Sequence, residues 1–289
     1  MFKRFSETVH TGQYTQTRDE GDVSAQMKYQ SGYSKDLAIK VESIMIGITK
    51  VMREAAKDDE IMRKITALTE KVPASIDLDL SHRFTFAWSS SYVDRSGNTV
   101  DVTTADGLAL AHATHTLTGS STTYSTIITS NPPFSKTALV TAVNQFTTST
   151  FDNLGNKIDA TPDVILTTDD EATVLAVREL MFATADTATS NSGTFNNYYK
   201  RYTHIIAPRI ATTATGGVDT NKAKYWALIC SDLSDFKLGI LKDAELSSPN
   251  KGNNGEDIAS GNWSYVVDAM YGNVIVTARA FRISKGDAS

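Results

Sequence analysis

The closing stretch of the chain, DIASGNWSYVVDAMYGNVIVTARAFRI at residues 257–283, alternates apolar and polar side chains over much of its length. This spacing of two is typical of β-strands with one buried face. The opening stretch, residues 1–40, is by contrast polar and rich in Gln, Thr, Ser, Tyr, Asp and Gly. Because this N-terminal segment has so little apolar surface of its own, we expect it to pack on another surface, either that of its own domain or that of a neighbouring subunit. The alternative is a disordered N-terminus.

Composition bounds the protein's class. A chain of 289 residues with 40% hydrophobic and 21% charged residues is long enough for one large or two small globular domains. A net charge of −5 argues against a broad nucleic-acid groove. The single cysteine, Cys230, excludes an intrachain disulfide and predicts a buried thiol in a reducing compartment. Neither a signal peptide nor an apolar run long enough for a membrane helix is seen, so we expect a cytoplasmic protein without membrane contact.

The N-terminal third alternates extended and helical patterns. Met27, Tyr29 and Tyr33 flank Gln30-Ser31-Gly32, which predicts a hairpin turn with Gly32 at positive φ. Residues 39–48 predict a strand with a possible bulge.

Two helices should follow that strand. Asp58 and Asp59 begin a short amphipathic helix, and Pro73 ends it and starts a second one. The second helix would carry Ile76, Leu80, Phe84 and Trp88 at helical spacing. A spacing of two also fits part of this stretch, but its length and its lack of glycine favour a helix.

The rest of the chain reads as short elements joined by turns. Turns are predicted at residues 94–98 and 152–156. Ser135 should cap one helix, and Thr168 with Glu171 should form the capping box of another. Strands are predicted at 164–166, 203–206, 225–229, 237–241, 264–267 and 274–283, and a polar loop at 185–202 ends in Tyr198 and Tyr199.

No catalytic pattern is evident. Asp169-Asp170-Glu171 is explained by its place at a helix start. His112 and His115 are three residues apart, but no third metal ligand accompanies them. No phosphate-binding glycine loop and no nucleophile elbow occurs. The basic groups at Lys200-Arg201 and Arg279–Lys285 are expected at solvated edges. The sequence therefore predicts no catalytic, cofactor or metal residues, and no enzyme.

The order of these segments is more specific than any one of them. Ile48-Thr49-Lys50 and Asp58-Asp59 precede the Pro-started helix, and Asp106-Gly107-Leu108-Ala109-Leu110-Ala111-His112-Ala113-Thr114-His115 follows it. Asn153-Leu154-Gly155, Pro162-Asp163-Val164-Ile165-Leu166 and the closing strands come next. This order resembles that of the major capsid proteins of tailed bacteriophages, the Caudoviricetes, with the α+β Hong Kong 97-type fold. The resemblance is strongest to Mu-like head subunits.

The resemblance implies a domain plan. Residues 1–16 would form the N-terminal arm, 17–43 the extended E-loop, 44–132 and 243–289 the peripheral (P) domain, and 133–242 the axial (A) domain. Met27, Tyr29, Gly32 and Tyr33 would contact a neighbouring subunit. Ile76, Leu80, Phe84 and Trp88 would lie on the long spine helix of the P-domain, at about 73–92. Tyr198 and Tyr199 would lie near the capsomer axis.

The resemblance also implies a function. The chain would self-assemble into hexamers and pentamers of an icosahedral shell around double-stranded DNA, with only non-specific contact to the DNA. Portal, scaffolding and decoration proteins would be partners, and the shell would be assembled in the host cytoplasm as part of the virion. An encapsulin-like compartment shell and an α+β enzyme are the alternatives.

Overall fold

The computed structural model describes residues 2–9, 11–55, 57–185, 194–247 and 262–287. The chain forms a mixed α+β structure divided into two compact units. Unit 1 comprises Met1–Lys3, Asp36–Leu80 and Lys237–Val274, and unit 2 comprises Arg4–Lys35, Ser81–Phe236 and Ile275–Ser289.

The described elements are as follows in chain order. The strands are β1 Phe2–Ser6, β2 Ser34–Ala38, β3 Lys40–Ile48, β4 Ser91–Val93, β5 Thr99–Asp101, β6 Val164–Thr167, β7 Thr203–Ile206, β8 Trp226–Ile229, β9 Phe236–Ser247, β10 Trp263–Ile275 and β11 Phe281–Ser284. The helices are α1 Lys50–Glu54, α2 Asp58–Thr69, α3 Lys71–Thr85, α4 Lys136–Thr148 and α5 Glu171–Phe182. Short 3-10 turns occupy Pro208–Ile210, Thr220–Lys222 and Ser231–Leu233.

Unit 1 contains a three-stranded sheet in the order β3-β10-β9. Residues of α2 and α3 pack against one face of this sheet. β10 is antiparallel to β3, and Val267 pairs with Ile44. Alternate residues of β10 (Tyr265, Val267, Ala269 and Tyr271) point to the side on which Leu68 of α2 and Val72 of α3 are buried. The phenol of Tyr271 donates a 2.5 Å hydrogen bond to Asp79, so α3 is also tied to β10 by a buried polar contact.

The opposite face of this sheet exposes apolar side chains. The register pairs Val41 with Met270 and Met45 with Val266, so these four residues share that face. Val41 and Met45 are each 62% exposed. Leu238 and Ile240 of β9 are also exposed. We call Val41, Met45, Val266 and Met270 the open face.

Unit 2 is built on a four-stranded sheet in the order β11-β8-β6-β7. β6 and β7 are parallel, whereas β8 is antiparallel to both β6 and β11. Parallel neighbours need a crossover, and α5 lies in the chain between β6 and β7. Ile165, Leu228, Phe281 and Phe146 of α4 are buried in one apolar core. The predicted buried strand at 164–166 is confirmed.

Local signals at turns and helix starts are mostly confirmed. Ser135 accepts a hydrogen bond from the Ala138 N–H and caps α4. Asp94 and Asp152 each organise a predicted turn by accepting backbone N–H bonds from the residues that follow. The predicted capping box is wrong, because Thr168 is not the N-cap of α5. Asp170 caps α5, because the Thr168 hydroxyl donates to the Ala223 carbonyl instead.

The predicted hairpin turn at residues 30–32 is wrong. The partner of β2 is β1, some thirty residues earlier, so the extended pairing is non-local. The two closing strands are β10 and β11, of which β11 belongs to the sheet of unit 2.

The second predicted helix starts and ends earlier than expected. α3 begins at Lys71, so Pro73 lies within its first turn, where a proline is tolerated. The helix ends at Thr85, after which the Ala87 N–H donates to the Phe84 carbonyl in a tighter turn. Trp88 therefore lies outside the helix, although it still packs against the same core as Phe84. The apolar spacing continues through this turn to Trp88, and for that reason the sequence predicted a helix end later than Thr85.

Two arginines expected at a solvated edge are buried. Arg279 is 3% exposed and Arg282 is fully buried. Arg282 donates to the carbonyls of Phe281 (2.8 Å) and Ser149 (3.1 Å), and its guanidinium lies 4.4 Å from the Phe146 ring centroid. Burial lowers the pKa of Arg282 to about 10. The cation sits against carbonyls at the C-terminal end of α4, where a positive charge is favourable.

We predict that Arg282→Ala lowers the free energy of unfolding by about 2–4 kcal/mol, because it leaves buried carbonyls without a donor and opens a cavity. Chemical denaturation measures this change. The matched control is Arg178→Ala on the exposed side of α5, which should have little effect. Equal stabilities of the two variants would contradict the role given to Arg282.

Candidate assembly surface

The segment between β1 and β2 forms a closed loop. We call residues 7–33 the strap; its described residues contain no helix and no strand. Because β1 pairs with β2, the strap leaves and returns at one place. The Glu7 N–H donates to the Tyr33 carbonyl at 2.9 Å and continues this closure.

A buried ion pair lies at the base of the strap. Glu7 Oε1 lies 2.6 Å from Arg279 Nη2, and both side chains are 3% exposed. Arg279 also donates to Asn153 Oδ1. Burial raises the pKa of the Glu7 carboxyl above its ordinary value of 4.5, and the nearby positive charge of Arg279 opposes this effect without cancelling it.

Further hydrogen bonds hold the first leg of the strap on unit 2. The backbone N–H and the hydroxyl of Thr8 donate to the Asp235 carboxylate at 3.0 and 2.6 Å. The Gly12 N–H donates to Asp152 Oδ2 at 3.1 Å. The turn that Asp152 organises is therefore also an anchor for the strap.

The second leg is held on unit 2 in the same way. The Thr118 hydroxyl donates to the Ser31 carbonyl at 2.9 Å, and the Tyr33 hydroxyl lies 2.9 Å from the hydroxyl of Thr116. Just beyond the strap, Lys35 Nζ lies 2.9 Å from the Asp101 carboxylate. Both legs are thus attached to the unit that carries Glu7 and Arg279.

The middle of the strap projects apolar side chains. We call residues 14–29 the tip. Tyr14 is 89% exposed, Val23 93%, Tyr29 69% and Met27 47%. A turn at residues 19–22 reverses the chain, with Gly21 at φ 94°. The tip thus exposes four large apolar side chains within sixteen residues.

The predicted contact residues divide between the tip and the second leg. Met27 and Tyr29 belong to the exposed tip, whereas Gly32 and Tyr33 are half-buried in the leg. Gly32 is not at positive φ, so the reason given for it from sequence is wrong. A Cβ at Gly32 would lie 2.7 Å from the Cβ of Glu7 and would also clash with its carboxylate. Glycine is needed here because the segments that carry Gly32 and Glu7 approach each other closely.

The predicted spine-helix residues are buried or half-buried. In unit 1, Ile76 packs against the apolar cluster under the sheet. In unit 2, Phe84 is buried, and Trp88 packs edge-on against Tyr225 with ring centroids 4.9 Å apart. Leu80 is half-buried. Ile76, Phe84 and Trp88 therefore contribute to the apolar packing of their units.

Tyr198 and Tyr199 lie in a loop tied to the end of α5. The Asn196 side chain donates to the carbonyls of Leu180 and Ala183 at 2.5 and 2.8 Å and accepts from the Tyr198 N–H. Tyr198 and Tyr199 are both half-buried. Residues 186–193 of the predicted polar loop lie outside the described residues.

The ring of His115, one of the two histidines considered as metal ligands, is held by hydrogen bonds within the protein. His115 is buried, with Nδ1 2.7 Å from Asp106 Oδ2 and Nε2 3.2 Å from the Leu110 carbonyl. Burial alone would raise the pKa of Asp106, but hydrogen bonds from His115 and Thr104 bring it to about 2. Both ring nitrogens of His115 are therefore engaged within the protein.

Among the residues described here, no three His, Cys, Asp or Glu side chains are placed to hold a metal ion. In the same part of the chain no helix is long and apolar enough to cross a membrane.

Sequence reasoning missed Glu7, Arg279 and Asp235, which fix the strap. One signal was available, because two arginines interrupt the apolar run at 274–283 and a charge in such a run needs a buried counterpart. The counterpart, Glu7, lies 272 positions earlier. No local pattern identifies it.

Comparison with solved structures finds chains that share this fold. A chain of Gordonia phage Cozz has a TM-score of 0.53 and 12% identity, covering 98% of this chain and 79% of that chain. A chain from the capsid of Myoviridae phage XM1 has a TM-score of 0.51 and 10% identity, covering 98% and 83%. A chain from the cyanophage Pam1 capsid asymmetric unit has a TM-score of 0.50 and 12% identity, covering 99% and 86%. No protein-family profile and no curated protein matches the sequence.

We predict that Gly32→Ala loosens the second leg, because the added Cβ meets the Glu7 side chain. Trypsin should then cleave after the half-buried Lys35 faster than in the native chain. The matched control is Gly47→Ala in β3, where an added Cβ meets nothing within 4 Å. Unchanged cleavage in the Gly32 variant would contradict the close approach of Gly32 and Glu7.

Proposed function

We propose that this chain is a major capsid protein of a tailed bacteriophage, with a Hong Kong 97-type fold, that self-assembles into an icosahedral shell around double-stranded DNA. The observation that carries the proposal is the exposed apolar tip on a strap whose two legs are anchored. The shared fold with chains from two phage capsids supports it. This function needs no catalytic residues.

The exposed apolar surfaces of the chain suit an assembling subunit. Tyr14, Val23 and Tyr29 of the tip are more exposed than large apolar side chains usually are in a solitary protein. Unit 1 separately presents the open face, whose side chains lie on a sheet rather than a loop. Burial of such surfaces on adjacent copies would supply the association energy. A closed shell repeats each modest contact many times, so no single interface has to be strong.

The domain plan of the fold is part of the proposal. Residues 44–132 and 243–289, with α3, β10 and β11, are assigned to the P-domain, and residues 133–242, with α4, α5, β6, β7 and β8, to the A-domain. The tip extends over the predicted junction between the arm (1–16) and the E-loop (17–43). The loop carrying Tyr198 and Tyr199 is proposed to lie at the capsomer axis.

The net charge of −5 fits a shell that makes only sparse, sequence-independent contact with packaged DNA. The proposed partners are further copies of the chain in hexamers and pentamers, a portal protein, a scaffolding protein and a decoration protein. The proposed location is the virion, after assembly in the host cytoplasm.

We predict that replacing Tyr14, Val23, Met27 and Tyr29 by Ser gives a folded subunit that does not form closed shells, because the tip loses its apolar contact area. Circular dichroism checks the fold, and electron microscopy checks assembly.

The control for this experiment changes four polar residues of the same loop, Thr15, Gln16, Thr17 and Gln26, to Ser, and it should assemble normally. Normal shells from the apolar variant would contradict the role of the tip. A deletion of residues 17–43 is a poorer test, because it also removes β2 and its fully buried Leu37.

A further inference from the structure

The ion pair at the base of the strap is incompletely satisfied. Glu7 Oε1 contacts Arg279, and hydrogen bonds from Thr277 and the Tyr33 backbone also favour the ionised carboxyl, but Glu7 Oε2 and the Nε and Nη1 atoms of Arg279 are buried without a hydrogen-bond partner of good geometry among the described residues. A buried polar atom without a partner costs free energy, and a buried ion pair is often no more stable than apolar side chains of similar volume. This contact is therefore a poor choice for permanent fastening.

The surroundings of Glu7 come from several segments of unit 2. Arg279 and Thr277 come from the segment before β11, and Asp235 from the segment before β9. Tyr124 lies in the same cluster, and its ring stacks on His115, which in turn pairs with Asp106. Gly32 and Tyr33 of the second leg close the remaining side. Of these described groups, Arg279 is the cation in direct contact with Glu7, and Asp235 is the nearby acid.

The remaining contacts of the strap are of a different kind. They are hydrogen bonds without a second charge: Thr8 donates twice to the Asp235 carboxylate, the Gly12 N–H donates to the Asp152 carboxylate, and the Ser31 carbonyl accepts from Thr118. Bonds to a carboxylate are individually stronger than bonds between neutral groups, but both kinds can be replaced by bonds to water when they break. The Glu7–Arg279 contact differs because it places a carboxylate and a guanidinium together in the interior, so the Glu7 carboxylate has to regain its hydration when the strap detaches.

We propose that the Glu7–Arg279 pair is a releasable latch that lets the strap detach from unit 2 while the rest of the unit stays folded. In the closed state the tip is held at a fixed root. In the open state both legs are free to follow the tip onto another surface. The latch is a property of the single chain and does not depend on the proposed function.

Protonation gives the latch a pH dependence of definite sign. The docked strap holds Glu7 with a raised pKa, whereas a detached strap exposes it with its ordinary value of 4.5. Docking therefore takes up protons between 4.5 and the raised value, so the docked strap is favoured as the pH falls through that window. As the pH rises toward neutrality, ionisation of Glu7 weakens docking.

Hydrogen–deuterium exchange of the full chain tests the latch. Glu7→Ala should raise the opening equilibrium of amides in residues 4–35 by about tenfold, the scale of one lost charged contact. Amides of β6 and β8 should keep their protection. The matched control, Glu20→Ala on the exposed part of the strap, should change neither region.

Two results of that experiment would overturn the latch. One is unchanged exchange of the strap in Glu7→Ala. The other is a parallel loss of protection in β6 and β8, which would make Glu7 a part of the global fold.

The pH arm of the experiment uses Glu7→Gln, which keeps the shape of the side chain and removes its titration. In the native chain the opening equilibrium, corrected for intrinsic exchange rates, should increase as the pH rises above 4.5. In Glu7→Gln this increase should disappear. An increase that persists in Glu7→Gln would assign the effect to a group other than Glu7 and would contradict the proposal.

The two proposals fail separately. A chain that forms no shells can still show the exchange pattern of the latch. A chain with an unresponsive strap can still assemble.

Discussion

The contact between Glu7 and Arg279 joins the first part of the chain to the last and, with the bonds of Thr8 and Gly12, holds the root of the strap in the closed state. Glu7 follows β1 directly, and Arg279 lies in the short segment between β10 and β11. This segment therefore contacts the strap through Arg279, and the strand that follows it, β11, forms one edge of the sheet of unit 2. A flexible tail has been converted into a loop with a fixed root, which reduces the entropy that has to be lost when the tip binds a partner.

The same C-terminal segment also stabilises the interior of unit 2. Arg279 faces the strap, and Arg282 lies against the end of α4, three residues further along. Both are buried, but their partners among the described residues differ, since Arg279 contacts a carboxylate and Arg282 contacts carbonyls, a hydroxyl and an aromatic ring. Burial of an arginine without a carboxylate lowers its pKa and fixes the surrounding carbonyls in place. Order at the strap and order in the core are thus set by neighbouring residues.

Local sequence signals predicted the elements whose cause is local. Ser135, Asp94 and Asp152 bond to backbone groups two to four residues away, and the sequence identified all three. The run at 164–166 was apolar enough to predict a buried strand. Thr168 was given a capping role because its spacing to Glu171 matched a motif, but a carbonyl distant in sequence competes for its hydroxyl.

The features that define the candidate assembly surface were beyond such signals. The pairing of β1 with β2 and the contact of Glu7 with Arg279 join segments that are distant in the chain, and neither has a spacing rule. Only the composition of the opening segment indicated that it needs a surface to lie on. The sequence left open whether that surface is its own domain or a neighbour. In the structure the legs use the chain's own unit, and the apolar tip stays exposed.

The central claim is that the exposed tip is completed by another copy of this chain. Cryo-electron microscopy of the purified full-length protein tests it most directly. The account predicts closed icosahedral particles, or rings of capsomers, with density for residues 14–29 of each subunit against a neighbouring subunit. A protein that stays monomeric at high concentration, with the tip folded onto its own surface, would contradict it.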